Sequence, residues 1–225
     1  MRQWQVGDVM TTDVVTVRSE TPYRVIVDLL TARGISAVPV IDDFDRVQGV
    51  VSESDLLAKV ELTGRPEPRV FVSRRHRTAR SHAAASEAEQ LMSTPAITVT
   101  PTTPLATAAK LLDEEHVKRL PVVDELGRLK GIVSRRDLLK VYLRPDADIR
   151  ADVIDEVLRR VLTTEEGLIQ VAVRDGVVTL DGGVDRRSTA QIAVRLAYGV
   201  PGVVQVTDRL VYTFDDTQLA TSMIA

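Results

Sequence analysis

The chain contains itself twice. Pro39 and Pro121 stand 82 positions apart within the related phrases AVPVID (37–42) and RLPVVD (119–124). The same spacing relates Met10 to Met92, Thr16 to Thr98, Thr21 to Thr103, Pro22 to Pro104, Gly49 to Gly131, Ser52 to Ser134 and Asp55 to Asp137, with no insertion. A repeated unit unable to cover its own apolar surface must bury it against its copy. The repeat therefore predicts one pseudo-two-fold domain.

Each copy follows one grammar. Thr21-Pro22 and Thr103-Pro104 read as helix openings, Thr as N-cap and Pro at the first helical position. Val25, Ile26, Leu29 and Leu30 mark one face of the first helix, and Thr107, Ala108, Leu111 and Leu112 the matching face of the other. Gly34 suits a left-handed helix end, and His116, its counterpart, reads as a turn residue. Short β runs follow at 38–41 and 120–123, polar turns at 42–46 and 124–128, and second β runs at 47–51 and 129–133. Both copies then close on Ser-x-x-Asp and a second helix.

Composition narrows the function. With 29 Lys plus Arg against 32 Asp plus Glu, the net charge of −3 argues against a dedicated nucleic-acid binder. Aromatics are only 4%, so the cores must be aliphatic. There is no cysteine, which removes disulfides, thiolate nucleophiles and Cys-type zinc sites. The three histidines, His76, His82 and His116, are too dispersed for a metal cage. Neither a G-x-x-x-x-G-K loop nor a G-x-S-x-G elbow is present, so the expectation is a protein that is not an enzyme and has no cofactor. The N-terminus carries no apolar signal segment and no 18-residue apolar run exists, so a cytoplasmic location is expected.

The opening phrases DVMTTDVVTV and QLMSTPAITV, the Pro-Val phrases, and the closing phrases GVVSESDLL and GIVSRRDLL together resemble a CBS pair, the module named for cystathionine β-synthase. The resemblance covers about residues 1–143. It implies an α/β (α+β) fold: a pseudo-two-fold pair of β-α-β-β-α units, over 1–60 and 91–144, enclosing two clefts. Members of this family commonly bind AMP, ATP or S-adenosylmethionine there and usually dimerise, so the implied partners are an adenosine-type small molecule and a second copy of the chain. Carried over by position, Asp55 and Asp137 would accept ribose hydroxyls, and Ser52 and Ser134 would offer a hydroxyl to ribose or phosphate. Thr21 and Thr103 would donate to phosphate, and Ile35 and Val117 would wall the adenine. Ser with Asp three residues on also caps any helix; it is the duplication that favours a binding role. Where one copy has Ser36 and Ala37 the other has Lys118 and Arg119, cations that either meet a phosphate or are simply solvated.

Between the copies, 61–90 holds six arginines from 65 to 80 with Glu67 as the one acid, a loop that reads as an electropositive arm or a solvated connection. Only 83–92 looks helical.

After Arg144-Pro145 the pattern changes. An apolar helical stripe at Ile149, Val153, Ile154, Val157, Leu158, Val161 and Leu162 precedes a hairpin turning at Asp175-Gly176. A helix from about Arg187 to Tyr198 stops at Gly199, and GVPGVVQVTDRLVY supplies a third strand. This α-β-β-α-β order over 147–213, with DGVVTLDGGV and GVPGVVQVTDRL, resembles a BON domain, named for bacterial osmotic-stress and nodulation proteins. The stretch 214–225 reads as a tail. The resemblance implies a phospholipid or protein partner, and an alternative reading of the whole: a stress-related interaction protein using the CBS pair as a dimeric scaffold.

Overall fold

The computed structural model describes residues 4–62, 85–159 and 168–217. The arginine-rich stretch at 65–82 and the end of the apolar stripe at Val161 and Leu162 lie outside them. The described residues form two compact units, 5–138, and 139–217 together with Trp4.

In the first unit, repeat 1 runs α1 (Tyr23–Arg33), β1 (Ala37–Ile41), β2 (Val47–Ser52) and α2 (Glu53–Leu62). A single turn, α3 (Ala88–Leu91), leads into repeat 2: α4 (Leu105–Glu114), β3 (Arg119–Val123), β4 (Leu129–Ser134) and α5 (Arg135–Leu138). Each repeat has an antiparallel hairpin in matching register, Pro39 opposite Val50 and Pro121 opposite Ile132. The additional strand of each sheet shrinks to one parallel bridge. The Val17 N–H donates to the Pro39 carbonyl at 3.1 Å and Ile41 donates to Val17 at 3.0 Å; Val99 does the same between Pro121 and Val123 at 3.1 and 2.8 Å. Gly34 ends α1 in the left-handed region (φ 59°), and the amide of Ile35 reaches back to Leu30 at 3.1 Å.

Three expectations need correction. Thr21 and Thr103 are not N-caps: Pro22 and Pro104 hold that position with extended backbone and no capping side chain. The threonine hydroxyls instead accept the amides of Arg18 and Thr100, at 3.0 and 3.1 Å, which closes the preceding turns. Val25 and its counterpart Thr107 are exposed, so the buried stripe of each first helix narrows to Ile26 and Leu30, and to Ala108 and Leu112. Of the stretch 83–92, only 88–91 is helical among the described residues.

What joins the repeats is an exchange of their leading segments. Val6 and Gly7 donate to Thr103 and Pro101, both at 2.8 Å, while Ala88 and Glu89 donate to Thr21 and Ser19 at 2.9 and 3.0 Å. Thr11 then bridges Ile132 in β4, and Ser93 bridges Val50 in β2. Each leader thus lies on the other copy, and Ala88 and Leu91 are buried in the core of repeat 1 with Ile26, Leu30, Val38, Val40 and Val51. The spacing-related methionines and glycines fit into this exchange. A Cβ built on Gly49 would stand 2.6 Å from Met92 Sδ and 2.9 Å from the Ser93 carbonyl; one on Gly131 would meet Met10 Sδ at 2.7 Å and the Thr11 carbonyl at 2.9 Å. The absence of a side chain is what lets the foreign leader approach. Gly49→Ala and Gly131→Ala should each cost about 1–3 kcal/mol, measured by urea unfolding; near-neutral values for both would mean the leaders do not press on these strands.

In the second unit, α6 (Asp146–Asp152) continues into wider, π-type turns over Val153–Arg159. The sheet then forms from β5 (Ile169–Arg174), β6 (Val177–Arg186) and β7 (Gln205–Phe214), in that spatial order. Asp175 and Gly176 both have positive φ, 51° and 73°, as the two-residue turn between β5 and β6 requires, and the Asp146 carboxylate accepts both their amides at 2.8 and 2.9 Å. β7 runs parallel to β6, a pairing that needs a crossover. The helix α7 (Arg187–Tyr198) supplies it, laying Ala190, Ala193 and Ala197 into the core beside Val178, Leu180 and Val206.

The expected tail begins inside this unit. β7 reaches Phe214, and the two residues after it fasten the start of α7. Asp216 accepts the Ser188 amide at 3.0 Å and hydroxyl at 2.6 Å; Asp215 pairs with Arg187 at 2.7 Å and accepts the Thr217 hydroxyl at 2.6 Å. The Ser188 hydroxyl and amide hold Asp216 below the usual carboxylate range, and the Thr217 hydroxyl and Arg187 do the same to Asp215. A lowered carboxyl favours folding fully above its ordinary value, and that gain is lost as pH falls through the lowered one. The unit should therefore lose thermal stability below about pH 4, and Asp216→Asn should flatten that decline. An unchanged acid profile in the variant would remove Asp216 from this role.

Candidate functional site

The leader of repeat 2 crosses from one copy to the other, and a cleft opens along its path. Ser93 is paired to the edge of β2 in repeat 1, Val99 to β3 in repeat 2, and Pro95, Ala96 and Ile97 span the gap. Repeat 1 supplies one wall: Ser36 and Ala37 before and in β1, Val50 and Ser52 in β2, and Glu53, Ser54 and Asp55 at the start of α2. Repeat 2 supplies the other with His116, Val117, Lys118 and Arg119, where α4 gives way to β3. The cavity is about 290 Å³, close to the lower end of the range for small-molecule sites, about 300–1,000 Å³.

Asp55 is held in place by its own helix start. Its Oδ2 accepts the Ser52 amide at 2.8 Å and the Ser52 hydroxyl at 2.7 Å. Asp137 is built alike, accepting from Ser134 at 2.9 and 2.6 Å, and its own amide donates back to the Ser134 hydroxyl at 3.3 Å. Helix capping is therefore present in both copies, and it presets the carboxylate rotamer. A group ordered before binding costs less to order on binding. Across the cleft, Arg119 Nε donates to the Ser36 hydroxyl at 3.0 Å, a direct tie between the repeats. His116 holds φ 54° where repeat 1 has Gly34 at φ 59°.

Of the residues singled out from sequence, Ser36, Ala37, Ser52, Asp55, Val117, Lys118 and Arg119 line this one cleft. Ile35, Thr21, Thr103, Ser134 and Asp137 do not. Ile35 packs against the core of repeat 1. Sequence reasoning missed Ser93, Pro95, Ala96 and Ile97, which reach the cleft only because the leaders are exchanged. It also treated His116 as a turn residue alone. The signal for His116 was its proximity to Lys118 and Arg119.

The comparisons with known proteins agree with this architecture. A family model for the CBS domain matches residues 6–62 and 88–144, and one for the BON domain matches 145–213. The chain belongs to the CBS-domain family. It is a tandem CBS pair followed by a BON domain. An uncharacterized protein of Methanopyrus kandleri is 31% identical over 144 residues, covering 63% of this chain and 64% of its own length. The chloroplastic CBS domain-containing protein CBSX2 of Arabidopsis thaliana is 30% identical over 155 residues, again covering 63% of this chain and 64% of its own length. This chain thus spans a little under two thirds of these curated relatives. The crystal structure of CBSX2 in complex with AMP matches at 32% identity and a TM-score of 0.55, covering 62% of this chain and 97% of that one. Among the described residues no helix is long and apolar enough to cross a membrane.

Proposed function

We propose that this CBS-domain protein is a non-catalytic sensor whose cleft between the repeats binds an adenosine-type ligand carrying phosphate, with AMP as the reference compound. One observation carries the reading: a single cavity gathers a preset carboxylate from repeat 1 and three basic side chains from repeat 2. Asp55 would accept the ribose hydroxyls, with Ser52 beside it. The start of α2 already holds Glu53 and Asp55, so its N-terminal field is spent on those carboxylates. The phosphate accordingly belongs at the opposite wall, on Lys118 and Arg119. Ile97 and Val117 offer aliphatic faces for adenine. The likeness to a relative solved with AMP supports the same class of ligand.

Occupancy has a route to an output. A phosphate on Arg119 competes with Ser36 for its guanidinium and so changes the tie between the repeats. In this proposal the changed pair, assembled as a homodimer, acts on the BON domain or a partner bound there. Such a relay needs different ligand affinity in its two states, beyond binding as such. Asp137 and Ser134 do not line the described cleft, so they are assigned no contact with the ligand bound there.

Isothermal titration calorimetry with AMP, ADP, ATP, adenosine and S-adenosylmethionine tests the reading. Asp55→Ala should weaken AMP by about 1.5–3 kcal/mol, tenfold or more, while Asp137→Ala should change it less than about threefold. Equal losses in both variants, or no loss in either, would contradict the assignment. No heat with any of these compounds would end the sensor proposal.

A further inference from the structure

The repeat supplies an internal control for one residue of the cleft. Gly34 and His116 occupy the same position in the two copies and adopt the same left-handed backbone, at φ 59° and 54°. Glycine enters that region without steric cost, whereas a residue with a Cβ does so at some expense. The ring is not held there by a partner: among the described residues, no hydrogen bond or ion pair engages the imidazole, and none engages the Lys118 ammonium. Both side chains line the described cleft. Gly34 ends α1 in repeat 1 and presents no side chain at all.

We propose that His116 is a specificity-determining residue that makes this cleft select nucleotides carrying a 5′-phosphate over the free nucleoside. This rests on the reading that the cleft takes an adenosine-type ligand, and adds what decides its choice among them. An imidazole donates one N–H when neutral and two when protonated, so it can bond a phosphate oxygen in either form. With Lys118 and Arg119 it places donors from three neighbouring residues, 116, 118 and 119, on one wall. A ligand without phosphate leaves His116 and Lys118 as they are in the free protein and gains nothing from them. A phosphate-bearing ligand supplies the acceptor that both lack.

The test uses the full chain and two variants. His116→Gly installs the residue that repeat 1 has at this position, relieving the backbone while removing the imidazole. His116→Asn keeps a side chain that tolerates left-handed backbone but ends short of the position of the imidazole Nε2. Affinities for AMP and for adenosine are measured by calorimetry, alongside thermal unfolding. Both variants should lose about threefold to tenfold in AMP affinity and keep adenosine within about twofold, with the Gly variant unfolding no earlier than the parent. A fall in the AMP-to-adenosine ratio with an undamaged fold is an outcome that a purely structural role for His116 does not produce. An unchanged ratio in both variants, or equal losses for AMP and adenosine, would overturn the assignment of His116 while leaving the cleft as the binding site. Absence of binding by either compound to the parent chain would overturn the sensor reading and this inference with it.

Discussion

The structure of the repeat pair hangs on the reciprocal exchange of two leaders. Each copy brings a short apolar turn, Val6 with Val9 in one and Ala88 with Leu91 in the other, and all four side chains are buried. The backbone bonds of the two exchanges match at Val6 and Ala88, at Gly7 and Glu89, and at Thr11 and Ser93, so that each copy completes part of its hydrogen bonding on the other. Burial of apolar surface drives the association. The close approach at Gly49 and Gly131 fixes where each leader lies.

The cleft is a by-product of this clasp. A segment that starts on β2 of repeat 1 and ends on β3 of repeat 2 must cross between them, and the crossing residues 95–97 leave room for a ligand on their flank. A ligand seated there touches both repeats at once. Its binding energy thereby becomes a statement about their relative arrangement, which is the physical requirement for a sensor. At the cleft the pseudo-symmetry is broken by Lys118 and Arg119 against Ser36 and Ala37, by Arg135 and Arg136 against Glu53 and Ser54, and by His116 against Gly34.

Much of this was legible in the residues, for identifiable reasons. The hairpins followed from short β runs bounded by polar turns, and from Pro-Val phrases at a constant spacing. The Ser-x-x-Asp closings located the carboxylate of the cleft. What escaped was nonlocal. Met10 and Gly131 carry no mark that they are partners, because both belong to spacing-related sets whose members look like companions within one copy. Ile97 was invisible as a site residue for the same reason. Local competition misled the reading at Thr21 and Thr103, where a turn amide took the hydroxyl expected to cap a helix. At the C-terminus, Asp215 and Asp216 looked like a polar tail because their partners, Arg187 and Ser188, lie a whole crossover earlier in the chain.

The most direct test of the account is a crystal structure of the full chain grown with AMP. AMP should lie with its ribose hydroxyls on Asp55, its adenine between Ile97 and Val117, and its phosphate on the His116–Arg119 wall, so that residues of both repeats contact one molecule. A structure with AMP held by residues of one repeat alone, or with Asp55 turned away from the bound sugar, would contradict it.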